Sequence, residues 1–370
     1  MPYRSSERHP VIGVAAASGD KLISMHCMLV IPGILTQDSN LIDKLGSFKL
    51  PALQRLLAKG RRDTCSWRGI DAWLLDHFEI DRQDDWPSAP FALLGEGEAP
   101  GDACWAHAEP VSLRADRDRL LLADSSLLKI QTEEATAICA TINAHFGEEL
   151  ELRIAAPDRW YARLASPPSG ETTPLSRVAG GQVEPGRGAM GWHALMNEMQ
   201  MLLHEHPVNE VREARFDAPI NGVWLWGAGR LAMVNTRFAS VAASRPLARG
   251  LARHAGIASH SMPDSAVSWM TGASDAGVHV CVHDALLHTL NQGDTAAWVD
   301  ALTRLDRDWA APLLAALGAG RIGMLTLSLG GSRSLLSVEL IRQDLRRFWR
   351  RAKPLDRTLT VKVDSEDEDA

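Results

Sequence analysis

Short apolar runs at residues 27–31, 278–282 and 324–327 stand among long helix-patterned stretches, and this alternation constrains the fold more than any other feature of the chain. A strand covered on both faces reads as a continuous apolar run, and strands that alternate with helices assemble into a mostly parallel sheet with helices on both sides. The first run is closed by Pro32-Gly33, a turn signal at the end of a buried strand. Residues 50–60 follow with Pro51 near the start, leucines at helical spacing, Lys59 in the last turn and Gly60 beyond it, the start and stop signals of a helix. Further helices are expected over 71–78, 132–145, 192–206, 295–317 and 338–352, and further strands over 152–154, 160–164 and 223–227. Segments 110–113 and 119–122 form an expected hairpin around the polar turn 115–118, while the Pro- and Gly-rich stretches 81–104 and 166–188 read as loops.

Composition narrows the function classes. Hydrophobic residues make up 45% and charged residues 23% of the 370, the balance of a globular protein. A net charge of -7 gives no basis for broad nucleic-acid binding, and no apolar run reaches the roughly 18 residues of a membrane-spanning helix. The cysteines at 27, 65, 104, 139 and 281 are scattered without a C-x-x-C pair, so neither a zinc knuckle nor a disulfide framework is indicated and a cytoplasmic setting is expected. Residues 1–24 lack a signal-peptide core and read as a flexible leader, with Met1 and Met25 as alternative starts. The expected plan is a core domain over 25–104 and 191–352, a smaller α+β domain inserted at 105–190, and an acidic, disordered tail over 353–370. Basic residues over 342–351 read as a solvated helix face or a dock for an acidic partner.

One passage is distinctive: Leu203-His204-Glu205-His206-Pro207-Val208-Asn209-Glu210-Val211-Arg212, followed by Ala218-Pro219-Ile220-Asn221-Gly222-Val223-Trp224-Leu225-Trp226-Gly227-Ala228-Gly229. It resembles the H-P-[VI]-N-x-x-R … N-x-[IV]-W-L-W-G-x-G segment of archaeal-type cofactor-independent phosphoglycerate mutases. Residues 50–60 and Thr132-Glu133-Glu134-Ala135 resemble two further family segments in the same order. Similarity is closer still to a bacterial offshoot, the RpfE-type regulatory proteins. The resemblance implies an α/β fold of the alkaline phosphatase superfamily: a three-layer α/β/α core with a mostly parallel sheet, carrying a smaller inserted α+β domain.

The resemblance also implies a chemistry that the residues do not support. Such mutases use two divalent metals, held by Asp and His, and a serine that carries the phosphoryl group; paired metals clamp the attacking and leaving oxygens. Where the family's first metal-binding Asp is expected the chain has Pro32, where the nucleophile is expected it has Ile70, and where a later Asp-His pair is expected it has Ser328 and Leu329. Asp284 and His288 alone keep the family spacing, so they are the candidate metal residues, for at most one divalent ion such as Mn or Zn; otherwise no cofactor is expected. Candidate ligand-binding residues are His206, Asn209, Arg212, Asn221 and Trp226, each with a competing role in turns, hydrogen bonding or packing. Three functions follow: a non-catalytic regulatory pseudoenzyme with an unknown phospho-metabolite or protein partner; an active mutase or phosphohydrolase using displaced ligands such as Ser66, Asp38, Asp275 or His279; or phosphosugar or nucleotide binding through Arg212 and the glycine turn 227–229.

Overall fold

A computed structural model describes residues 24–359, apart from 117–118, 124, 179–189 and 274–275. The expected leader up to residue 23 and the acidic run 364–369 lie outside the described residues. Twelve strands are present among them: β1 His26–Pro32, β2 Arg61–Ser66, β3 Cys104–Asp116, β4 Arg119–Ala123, β5 Leu150–Ala156, β6 Arg159–Leu164, β7 Gly222–Gly229, β8 Phe238–Ala243, β9 Ala258–His260, β10 Val278–Val282, β11 Met324–Gly330 and β12 Ser334–Ile341. Seven form the main sheet in the order β2-β12-β11-β1-β10-β8-β9. Strand β1 pairs in parallel with β10 and β11, β10 with β8 and β8 with β9; β12 alone among the inner strands runs antiparallel to its neighbours.

Why β1 is central follows from its side chains. Cys27, Leu29 and Ile31 enter one apolar cluster with helices Pro51–Lys59, Thr295–Arg304 and Ala311–Ala319, while Met28 and Val30 enter another with helices Ile70–His77, Ser88–Glu96 and Pro246–His254. A period-two strand that buries both faces leaves no solvated side, and each leucine-sized side chain so buried contributes about 2 kcal/mol. Helix Pro51–Lys59 begins at Leu50, which has no capping side chain; Asp306 Oδ1, from a π-helical turn 253 residues away, accepts from Leu53 N at 2.7 Å instead. Helices Ser88–Glu96 and Pro246–His254 cross so closely that a Cβ on Gly95 would lie 1.9 Å from Pro246 O, and one on Gly250 would lie 1.7 Å from Phe91 O.

The second sheet, ordered β4-β3-β6-β5, also takes β7 as the partner of β3. Helices Thr132–Phe146 and Met190–His204 pack on it around Trp160 and Trp192. The expected boundary at residue 190 therefore needs correction. Antiparallel pairing of β7 with β3 draws the tryptophan strand into the smaller sheet, and the chain returns to the main sheet only at β8.

Three further expectations are corrected. Residues 338–341 belong to β12, because Leu336, Val338 and Leu340 alternate into the core; a short 3-10 turn, Arg342–Arg346, replaces the rest of the expected helix. The presumed loop 81–104 contains helix Ser88–Glu96. Within the expected tail, Leu355 and Leu359 are buried in the main core, an i, i+4 apolar pair anchoring residues 353–359. No helix among the described residues is long and apolar enough to cross a membrane.

Candidate functional site

Ligands of open α/β sheets bind beyond the carboxyl ends of the parallel strands. Here the ends of β8 and β10 deliver Arg245 and Asp284, each at the start of the following helix, and helix Ile70–His77 contributes Asp71 from its first turn. Arg245 Nη1 donates to Asp71 Oδ1 at 3.3 Å, and its Nε stands 3.4 Å from Asp284 Oδ2, within ion-pair range but outside hydrogen-bond geometry. One guanidinium thus lies between two carboxylates that come from segments 213 residues apart, 284 − 71. Burial pushes the Asp71 carboxyl above its ordinary pKa; Arg245 opposes that shift and Asp284 adds to it.

The second sheet closes this edge. Trp226 Nε1 donates to Glu109 Oε1 at 2.8 Å, and the indole stacks on His107 with ring centroids 4.0 Å apart. Tyr161 packs beside His107 at 5.3 Å. Burial, reinforced by the Arg245 charge, lowers the His107 pKa to about 3, so the ring is neutral at physiological pH; its Nε2 is buried and has no hydrogen-bond partner among the described residues. Between the two sheets lies a cavity of ≈ 120 Å³ lined by Asp71, His107, Glu109, Arg159, Tyr161, Trp226 and Arg245. It presents two guanidinium groups, a neutral imidazole and two acidic side chains to whatever enters, enough to orient a small polar ligand.

Of the residues singled out from sequence, Trp226 and Asp284 belong to this constellation. The others are engaged elsewhere. His206 caps helix Pro207–Ala214, its Nδ1 accepting from Val208 N at 3.2 Å while Nε2 meets Thr141 Oγ1 at 2.9 Å. Asn209 donates to Leu203 O and Ile220 O and accepts from Ile220 N. Arg212, 1% exposed, donates to Ala218 O, Glu134 Oε2 and Leu128 O at 2.6–2.7 Å. Asn221 bonds both backbone polar groups of Leu113, holding β7 to β3. These four side chains tie the smaller unit together.

Asp284 and His288 each have another side-chain neighbour. Asp284 faces Arg245, whereas His288 is exposed and its Nε2 lies 3.0 Å from Gln292 Nε2. Among the described residues no group of three His, Cys, Asp or Glu side chains is placed to hold a metal ion. Among the described residues the displaced candidates do not assemble one either. Asp38 caps helix Ser39–Ser47, His279 Nδ1 bonds Ser240 Oγ at 2.7 Å, Ser66 lines a different cavity, and Asp275 lies outside the described residues. The glycine turn is likewise occupied: Asp85 Oδ2 accepts from Gly227 N at 3.1 Å and Ala228 N at 3.3 Å, filling the place a phosphate oxygen would take. Arg245 and His107 carry no local motif and were not anticipated. The sequence signal for Arg245 is only that it opens a helix after a core strand.

No protein-family model matches the chain, and no curated protein matches it significantly. Six chains of solved structures match this one, two of them from the following proteins. One is the PH0037 protein from Pyrococcus horikoshii, with a TM-score of 0.52 and 14% identity over 86% of this chain and 88% of that one. The other is a cofactor-independent phosphoglycerate mutase from Thermoplasma acidophilum, with a TM-score of 0.48 and 16% identity over 93% of this chain and 96% of that one. At such identities the likeness to the PH0037 protein establishes a shared fold.

Proposed function

We propose that this chain is a non-catalytic, ligand-binding regulatory protein built on the mutase-like fold, and that the cavity between its two sheets is the ligand site. The observation that carries the reading is Arg245. Its guanidinium sits between Asp71 and Asp284, the acidic residues that remain near the position of the expected phosphoryl chemistry. A fixed positive charge satisfies two carboxylates without offering the open coordination positions that two-metal catalysis requires. Pro32, Ile70, Ser328 and Leu329 add to this: Leu329 is fully buried in the core and none of the four carries a metal-binding carboxylate or imidazole. The motif resemblance to RpfE-type regulatory proteins points the same way. Arg245 and Arg159 would meet an anionic group of the ligand, which makes small phosphorylated metabolites the first to screen.

The test is a coupled assay of the purified full chain with 3-phosphoglycerate and added Mn²⁺, alongside a thermal-shift screen of phospho-metabolites. The reading expects no turnover above buffer and stabilisation by at least one metabolite that is lost in Arg245→Ala. Turnover at an enzymatic rate would replace it with the mutase or phosphohydrolase reading.

A further inference from the structure

One face of strands β11 and β12 borders a cavity. On β11, Leu325, Leu327 and Leu329 enter the core, and on β12 Leu336, Val338 and Leu340 do the same. Alternate residues on those strands, Thr326, Ser328, Leu335 and Ser337, line a cavity of ≈ 110 Å³ on the opposite face, beneath helix Ile70–His77. An inner strand of a doubly covered sheet ordinarily carries apolar residues on both faces; of the hydroxyl residues buried here, Thr326 meets His26 Nε2 at 2.8 Å, which leaves Ser337 as the one that calls for a partner among the described residues.

Strand register shows how the floor is built. Ser328 pairs with Ser337, and Ser337 with Asp63, so three oxygen-bearing side chains lie in one cross-strand row. Ser337 is 3% exposed, yet its Oγ has no hydrogen-bond partner among the described residues. Two indoles form the walls. Trp67 lies over Gly330 so closely that a Cβ there would stand 2.7 Å from the ring, and Trp73 stacks on His77 at 3.8 Å. Asp63 and Asp76 both line the cavity and act on Cys65, whose thiol pKa is raised by burial first and by these two carboxylates next. Neither carboxylate enters an ion pair among the described residues; nearby Glu339 is matched by Arg61, and Glu79 accepts from Asn235. Two cations also line the cavity: Arg237, which acts on His26 through its charge, and Arg68, which lies over the Trp86 ring at 4.9 Å.

We propose that this cavity binds a flat organic cation, an aromatic ring bearing an amine or amidine. The ring would lie against the indole of Trp73 or Trp67, where a cation also gains from the π face, and its N–H groups would reach Asp63, Asp76 and the free Ser337 hydroxyl. The site is separate from the Arg245 cleft and shares none of its lining residues.

Titration calorimetry of the full chain with benzamidine, its neutral isostere benzamide and its anionic counterpart benzoate tests the proposal. Benzamidine should bind at least about tenfold more tightly than benzamide, and benzoate should bind worst. An Asp63→Asn/Asp76→Asn variant should lose about tenfold in benzamidine affinity, Ser337→Ala should weaken it, and Arg245→Ala should leave it unchanged. Circular dichroism confirms the fold of each variant, and Ser337→Ala carries the test if the double variant fails to fold. The proposal is overturned if benzamidine does not bind at about 10 mM, if benzamide or benzoate binds as well, or if the folded Asp63→Asn/Asp76→Asn or Ser337→Ala variant keeps full affinity.

Discussion

Replacing Arg212 with methionine separates a structural role from a ligand-binding one. Methionine keeps the apolar stem and removes every donor. Ala218 O and Leu128 O then lose their side-chain partner in a site where Arg212 is 1% exposed. Glu134 loses one of two guanidinium partners but keeps Arg215, at 2.6 Å, and the backbone N–H of Gln131 at 2.9 Å. Breaking a buried ion pair from one side costs about 3–5 kcal/mol. The surviving Arg215 contact places the loss near the lower end, about 3 kcal/mol, in the unit that carries the second sheet. Urea unfolding followed by far-UV circular dichroism should show the midpoint falling with little change in slope. A loss under about 1 kcal/mol, combined with abolished metabolite binding, would refute the structural assignment. Acid titration offers a second readout. Burial raises the Glu134 pKa, but the Gln131 N–H and the two arginines outweigh it and the net shift is downward from 4.5. Its contribution is therefore present above about pH 4.5 and lost as pH falls through the lower folded value, and Arg212→Met should flatten that acid limb.

Three other perturbations follow from the same geometry. Gly250→Ala forces a Cβ to 1.7 Å from Phe91 O, so it should cost at least the 1–3 kcal/mol typical of overpacking, roughly, and lower the thermal midpoint. Burial, aided by Arg237 and His279, lowers the His26 pKa to about 4 from 6.5, so the unfolded chain binds the proton first; between pH 6.5 and 4 stability should fall with acidification, by up to about 1.4 kcal/mol per pH unit, and His26→Gln should remove that slope. Arg245→Ala leaves Asp71 and Asp284 without their shared guanidinium, so Mn²⁺ should raise the thermal midpoint of this variant and not that of the parent chain; equal Mn²⁺ effects on both would contradict the role given to Arg245.

Local signals in the chain reported the fold well where packing was regular. The run 27–31 reads as a doubly buried strand and is one, and Pro51 and Gly60 bracket a helix as their chemistry dictates. Reading failed where tertiary pairing decides. Trp224 and Trp226 look the same in a core strand or an inserted one, and only hydrogen bonding of β7 to β3 places them. Arginines over 342–351 suggested a helix, but the preceding leucines alternate at period two and pair with β11. The family-like polar residues His206, Asn209, Arg212 and Asn221 were legible as a motif, yet their partners are backbone groups, a threonine hydroxyl and a glutamate of the same unit. The cleft itself was barely legible. Asp71, His107, Arg245 and Asp284 come from four separated segments with no shared pattern, and the fold alone brings them together.

Metal stoichiometry tests the central claim most directly. The purified full chain, equilibrated with Mn²⁺ and Zn²⁺ and then dialysed, is assayed for bound metal by elemental analysis. An edge site closed by Arg245 predicts well under one equivalent per chain, unchanged in His288→Ala. Two tightly held equivalents, lost together with 3-phosphoglycerate turnover on chelation, would contradict it.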